Sequence, residues 1–209
     1  MNLIVLHHLG AEAAGEDWRR VLADEGLTDV WAPDLAGHGT EPAPTGGNYT
    51  RLDPVYAIGR RVADGFDLAD TVLVGVGRSG WSALVLAAAK QGCGLVLVDG
   101  LGTPWIAPTE QHRARRAALR ALGDDPQAMA AAPEAGLDPR IAGGLPPHGD
   151  EALVREAAAA VEVPTLLIGG DVEAANSVAP AFGGGVTVIA SAADPGAVAP
   201  HLVDWLRRF

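Results

Sequence analysis

The sequence is poor in the residues that several kinds of chemistry require. It contains one cysteine, Cys93, which excludes a disulfide framework and a thiolate zinc site and suits a reducing compartment. Basic residues number 15 against 26 acidic ones, a formal charge of −11, so we expect no binding to nucleic acid or to an anionic membrane. The first apolar run, Leu3 to Leu6, stops at His7, so we predict neither a membrane span nor a signal peptide. These shortages favour a cytoplasmic protein whose partner is a small molecule.

Apolar residues, by contrast, make up 48% of the 209 positions, enough for one core, and we predict a single domain over 1–209. Short apolar runs alternate with amphipathic stretches, the pattern of a parallel sheet with helices on both faces. Strands are predicted at 3–6, 29–32, 71–75, 95–99, 165–169 and 186–190. Helices are predicted at 17–25, 52–63, 80–90 and 197–208, with Asp17 as the cap of the first and Gly26 as its stop.

Residues 101–161 interrupt this alternation. They contain an Arg-rich predicted helix at 109–122, a middle part rich in Ala, Pro and Gly, and a second predicted helix at 150–160. We interpret the segment as a lid inserted after the fourth strand. Trp105 and His148 of this lid are candidates to face the cavity beneath it, Trp105 as an apolar wall.

Several segments together resemble the α/β-hydrolase superfamily over nearly the whole chain. Residues 3–10 (LIVLHHLG) are similar to the family's strand ending in a His-Gly turn, and residues 33–39 (PDLAGHG) to its Asp-x-x-Gly-His-Gly loop. Residues 71–75 are similar to the strand that leads to the nucleophile. The resemblance implies an α/β fold in a reduced form, with a mostly parallel six-stranded sheet, helices on both faces and a small helical lid. It also implies acyl transfer by a serine, a histidine base and an orienting acid.

The serine of that family lies on a tight strand-to-helix turn with the pattern Gly-x-Ser-x-Gly. Here the turn reads Gly75-Val-Gly77-Arg78-Ser79-Gly80, so Gly77 occupies the position of the serine. A frame shifted by two residues puts Ser79 at the tip, but the following helix is then two residues shorter than is usual in the family. We therefore favour Gly77 at the nucleophile position and keep Ser79 as the alternative.

The family's histidine, which follows the last strand, is missing as well. Asp194 stands about where it is expected, and His201 falls inside the predicted final helix. The acid position is occupied, because residues 169–173 resemble the family's acid turn with Glu173 in register. An orienting acid without a base or a nucleophile cannot run acyl transfer, so the resemblance predicts a degenerate triad.

The glycines of the turn allow two other interpretations. Gly75-x-Gly77-x-x-Gly80 matches the dinucleotide fingerprint, and Asp99 ends the next strand at about the distance of a ribose-binding acid. The fingerprint normally opens its fold, however, and we expect no cofactor. In the second interpretation the amides of Gly77 and Gly80, beside Arg78, bind a carboxylate, an enolate or a phosphate. In the simpler interpretation Arg78 faces solvent, and the glycines are present only because the turn requires them.

Three further residues belong to the predicted pocket. His8 replaces the glycine of the family's oxyanion turn and is a candidate acid or base near neutral pH. The amide of Leu9 would be a donor there in an intact enzyme. Trp81 is bulky where the family has a small residue, and it fills part of the pocket. No spacing of His, Asp and Glu resembles a metal site.

We therefore predict an enzyme that acts on a small, mostly apolar metabolite by non-triad chemistry: proton transfer, cyclisation, elimination or a lyase reaction. Its candidate catalytic residues are His8, Ser79, Glu173 and Asp194. Two alternatives stay open, a binding or partner protein without chemistry and an ester hydrolase that uses Ser79. The oligomeric state is also open, with a homodimer as one option.

Overall fold

The computed structural model describes residues 1–8, 14–44, 49, 53–99, 127, 138, 141 and 151–208. Its strands are β1 (Asn2–Leu6), β2 (Val30–Trp31), β3 (Thr71–Val76), β4 (Gly94–Val98), β5 (Thr165–Gly169) and β6 (Val186–Ala190). Its helices are α1 (Ala14–Asp24), α2 (Asp53–Ala63), α3 (Gly80–Ala88), α4 (Glu151–Ala159), α5 (Val172–Val178) and α6 (Pro195–Leu206). Short 3₁₀ turns at Gly77–Ser79 and Ala179–Ala181 precede α3 and follow α5.

The six strands form one sheet in the order β2-β1-β3-β4-β5-β6, and every neighbouring pair is parallel. The predicted α/β sheet of six strands is confirmed. Carboxyl ends of parallel strands meet at one edge, so the residues that follow β1, β3, β4 and β5 lie side by side there.

The sheet separates two hydrophobic clusters. On β3 and β4 the leucines Leu73, Leu95 and Leu97 lie on the face covered by α2, α3 and α4. Valines such as Val74 and Val96 lie on the opposite face, covered by α1 and α6. Side chains alternate along a strand, so a strand that is apolar throughout buries both faces, which explains why these runs do not alternate in polarity.

The ends of α1 differ from the prediction in one respect. The expected cap, Asp17, is wrong: the helix begins at Ala14, and Asp17 lies in its first turn with an ion pair to Arg20 at 3.1 Å. The carboxylate is favourable there because it lies near the positive end of the helix dipole. The predicted stop is confirmed, because Gly26 adopts φ +86° and its N–H bonds to the carbonyl of Ala23.

The segment predicted to form a lid is only partly within the described residues. Its second predicted helix corresponds to α4, which packs against α3. The predicted helix at 109–122 lies outside the described residues. Among the helices that the structure does describe, none is both long enough and apolar enough to cross a membrane.

Candidate functional site

The turn between β3 and α3 lies at the centre of the carboxyl edge and depends on glycine. A Cβ on Gly75 would lie 2.7 Å from the Cα of Gly80 and 2.8 Å from the Cβ of Ala83, so strand and helix touch through bare backbone. Gly77, the first residue after β3, has φ +53°, a conformation that residues with a side chain rarely adopt. The sharp turn thus puts Gly77 at the tip between strand and helix.

His8, two residues beyond β1, covers this tip. A Cβ built on Gly77 would lie 1.8 Å from Nδ1 of His8, so the imidazole occupies the space in which any side chain at position 77 would begin. The backbone N–H of Arg78 donates to the same Nδ1 at 3.3 Å. In an intact enzyme of this fold the residue after the nucleophile supplies an oxyanion-hole amide. Here that amide is engaged by His8.

The charge state of His8 follows from its surroundings. Desolvation of the ring, then the positive charge of Arg78 and the neighbouring His38, lower the pKa of His8, whereas Asp99 acts in the opposite direction. A lowered pKa leaves the imidazole neutral at pH 7. Because Nδ1 accepts a hydrogen bond, the hydrogen of the neutral ring is on Nε2, and the residue as a whole keeps an exposed surface.

The environment of Ser79 differs from that of a catalytic nucleophile. Its side chain is fully buried, and its hydroxyl donates to the carbonyl of His7 at 2.5 Å. The contact ties the start of α3 to the end of β1. In this arrangement the hydroxyl is directed into the protein and lies two residues beyond the tip.

His7 and His38 form a buried pair beneath the site, with ring centroids 4.7 Å apart. Nε2 of His7 accepts from the N–H of Leu35 at 3.1 Å, and its Nδ1 donates to the carbonyl of His8 at 3.2 Å. Burial, with His38 next, lowers the pKa of His7 to about 4. Burial also lowers the pKa of His38, whose Nδ1 donates to the carbonyls of Leu35 and Ala36. Both rings are neutral at pH 7 and fasten the 34–39 loop to the end of β1.

The 34–39 loop contains two glycines against which neighbouring side chains pack closely. A Cβ on Gly39, at φ +53°, would meet the carboxylate of Asp34 at 2.2 Å, and one on Gly37, at φ +76°, would meet the hydroxyl of Tyr49 at 2.1 Å. Tyr49 donates in turn to the carboxylate of Asp138 at 2.6 Å. These contacts give the loop an architectural role.

Two predicted acids lie at helix starts. Asp194 caps α6, its Oδ1 accepting from the N–H of Ala197 at 2.9 Å. Asp171 caps α5 in the same way, with a 2.8 Å bond from Ala174, and Glu173 is exposed in the first turn of that helix. Asp194 and Asp171 therefore have the capping role that their position at a helix N-terminus favours.

Asp99, which the glycine pattern offers as a ribose-binding acid, lies at the carboxyl end of β4, next to β3 and its turn. It follows β4 directly, adopts φ +49° and is exposed. Its Oδ1 accepts from the N–H of Gly170 at 3.2 Å. A Cβ built on Gly169 would lie only 2.5 Å from the same oxygen, so the carboxylate covers that glycine. The signal available in the sequence was its position at the end of a strand next to the glycine turn.

The remaining predicted binding residues divide into two groups. Arg78 and Trp81 are half-buried at the start of α3, and Trp81 packs against the core. The amide of Gly80 donates to the carbonyl of Gly77, and the amide of Arg78 donates to Nδ1 of His8. An anion at these two amides would have to displace both acceptors. Leu9, Trp105 and His148 lie outside the described residues.

In the part of the chain that is described, no group of three or more His, Cys, Asp and Glu is arranged to hold a metal ion.

Comparisons with solved structures define the class of fold. The chain superposes on a thermophilic esterase from Thermogutta terrifontis with a TM-score of 0.70 at 17% identity, covering 100% of this chain and 90% of the esterase. A hydrolase from Pseudomonas aeruginosa gives 0.69 at 20% identity, over 99% and 87% of the two chains. An enol-lactonase from Burkholderia xenovorans gives 0.62 at 19%, over 99% and 91%. This protein therefore has the α/β-hydrolase fold.

The sequence itself adds no closer assignment. No family model matches the chain, and the comparison with curated proteins gives no match. At this level of identity the structural likeness establishes the fold and leaves the chemistry to be argued from the site.

Proposed function

We propose that this protein is an enzyme that acts on a small, mostly apolar metabolite by non-triad chemistry of the proton-transfer type, with His8 at the centre of its site. The observation that carries the proposal is the overlap of His8 with position 77. The imidazole stands in the space of a nucleophile side chain and accepts the hydrogen bond of the Arg78 amide.

Three features of His8 support this role. The ring is neutral at pH 7, its Nδ1 is fixed by a backbone donor, and Nε2–H is the group left for a ligand. A neutral imidazole held in this way can donate a hydrogen bond to a carbonyl oxygen and stabilise the charge that develops there. Its position at the carboxyl ends of β1 and β3 is where ligands bind in open α/β sheets.

The ester-hydrolase alternative finds less support. A serine nucleophile needs a base within hydrogen-bond reach, whereas the Ser79 hydroxyl donates to a backbone carbonyl and is fully buried. The non-catalytic alternative is supported by Asp171 and Asp194, because each caps a helix and so has a structural role that requires no chemistry.

A fluorophosphonate probe and a panel of short acyl esters test the proposal against hydrolysis. We expect no covalent adduct by intact mass and no ester turnover, since no nucleophile lies at the tip of the turn. Adduct formation that disappears in Ser79→Ala, but persists in the exposed control Ser177→Ala, would establish the ester hydrolase instead.

The same preparation tests the enzyme against the binding protein. We expect the wild type to exchange the acidic C–H protons of a small ketone with solvent deuterium, and His8→Ala to lower the rate by about 10²-fold. Equal rates for wild type, His8→Ala and buffer would favour the non-catalytic alternative.

A further inference from the structure

Four residues lie at the carboxyl ends of four adjacent strands. The register aligns Leu6 with Gly75, Gly75 with Leu97, and Leu97 with Leu167. Two residues further along the chain come His8, two residues beyond β1, then Gly77 and Asp99, which directly follow β3 and β4, and Gly169, the last residue of β5. The N–H of Asp99 still bonds to the carbonyl of Ile168 at 2.8 Å, so the alignment of β4 with β5 extends to this point.

Glycines alternate with polar side chains at these strand ends. Adjacent strands lie about 4.8 Å apart, so the ends of β1 and β4, which His8 and Asp99 follow, are separated by about 10 Å, with the end of β3 between them. The His8 ring covers Gly77, and the Asp99 carboxylate covers Gly169. Because Gly77 has no side chain, His8 and Asp99 are the residues with side chains on the two sides of the end of β3.

Asp99 also adopts a conformation that needs an explanation. Its φ of +49° is uncommon for a residue with a side chain, although aspartate tolerates it better than most. Such outliers concentrate at functional sites, where the surrounding structure holds them in place. The hydrogen bond from Gly170 holds one carboxylate oxygen, and the side chain as a whole remains exposed.

We infer that Asp99 is the proton-accepting catalytic residue of this site and that the substrate carries a carbonyl group next to an acidic C–H bond. The inference rests on the proposed function and deepens it. The Asp99 carboxylate takes the proton from carbon, and the electron pair of the broken C–H bond moves into the carbonyl to give an enolate. The Nε2–H of His8 donates to the enolate oxygen. The exposed Asp99 carboxyl exchanges its hydrogen with solvent, and delivery of that hydrogen to carbon restores the ketone and the carboxylate, so no co-reactant besides water is needed.

The experiment measures deuterium incorporation into cyclohexanone and 2-butanone in D₂O by proton NMR. Asp99→Asn keeps the size of the side chain, its tolerance of positive φ and an acceptor for the Gly170 amide, so the fold is retained; a thermal melt verifies this. We expect the exchange rate to fall by about 10²-fold or more. The matched control is Asp67→Asn, because the exposed Asp67 carboxylate likewise accepts one backbone N–H, from Ala69, but precedes β3 at the other edge. Its rate should equal that of the wild type.

The outcomes separate the two proposals. If the wild type exchanges and Asp99→Asn exchanges equally fast while His8→Ala is slow, the role of Asp99 is overturned and the proposed function stands. If the wild type does not exceed buffer with either ketone, the proposed function fails and the role of Asp99 fails with it.

Discussion

At the scale of single residues, the two adjacent histidines of this chain have different environments and therefore different uses. His7 is fully buried, and each of its ring nitrogens has a backbone partner. His8 keeps an exposed surface and has one nitrogen bonded to a backbone amide. Sequence reasoning selected His8 as the reactive one because it replaces a glycine of the oxyanion turn. It could not foresee that the ring would cover Gly77, since side-chain direction depends on packing between strands distant in the sequence.

The buried state of His7 predicts a loss of stability in acid. Its pKa is about 4 in the folded protein against an ordinary value of 6.5, so below pH 6.5 the unfolded chain binds a proton that the folded chain does not. The free energy of unfolding should therefore fall by about 3 kcal/mol from this residue as the pH drops from 6.5 to 4. Urea denaturation at several pH values measures the effect.

The comparison variant for this prediction is His7→Gln, which cannot titrate. It should be less stable than the wild type at pH 7.5, because the ring's hydrogen bonds are lost, but it should lose less stability between pH 6.5 and 4. Parallel pH profiles of the two proteins would contradict the assignment of this effect to His7.

At the scale of elements, the turn from β3 to α3 shows what a residue pattern can and cannot predict. The pattern of glycines and apolar residues was sufficient to place the turn, the strand and the helix, because each glycine meets a local steric need. The same pattern fits a dinucleotide fingerprint, a nucleophile turn and an anion site. Which of these three the turn forms depends on the side chain packed against its glycines. In this protein that side chain is His8, which follows β1.

The contact between β3 and α3 gives a prediction for glycine substitutions. Gly75→Ala should lower the free energy of unfolding by about 1–3 kcal/mol, because the added methyl would press on the backbone at Gly80. Gly59→Ala is the control: it lies exposed in α2 with nothing within 4 Å of the new Cβ, and it should stabilise the helix by up to about 1 kcal/mol. Chemical denaturation of both variants provides the measurement, and a destabilisation of similar size in both would contradict the steric argument.

At the scale of the whole molecule, the sequence predicted the sheet more completely than the site. Uniformly apolar runs identify buried parallel strands directly, so all six were located within about two residues. The order of the strands and the register between them are not encoded in any one run. Without the strand order, the neighbouring positions of His8, Gly77 and Asp99 at the carboxyl edge could not be derived.

Distant parts of the chain are also joined around the 34–39 loop. The N–H of Asp138 donates to the carbonyl of Gly37 at 2.8 Å, and its carboxylate accepts from Tyr49 at 2.6 Å. Tyr49 and Asp138 are both buried. Two hydrogen bonds therefore join Gly37, Tyr49 and Asp138.

The hydrogen bond from Tyr49 to Asp138 predicts that Tyr49→Phe lowers the free energy of unfolding by about 1–3 kcal/mol, because the buried Asp138 carboxylate loses a hydrogen-bond donor. Tyr56→Phe removes the same hydroxyl from a side chain that is 60% exposed and should change stability by less than about 0.5 kcal/mol. Thermal or urea unfolding distinguishes the two. Equal stabilities for both variants would show that the Tyr49 hydroxyl contributes nothing measurable.

The overlap between His8 and Gly77 also couples substitutions at the two positions. A serine introduced at position 77 alone would collide with the imidazole and would find the Arg78 amide already bonded. A side chain at position 77 therefore requires a smaller residue at position 8, or an imidazole that has moved away. The effects of substitutions at the two positions are accordingly expected to be non-additive, so that Gly77→Ser is tolerated better in a His8→Ala background than alone.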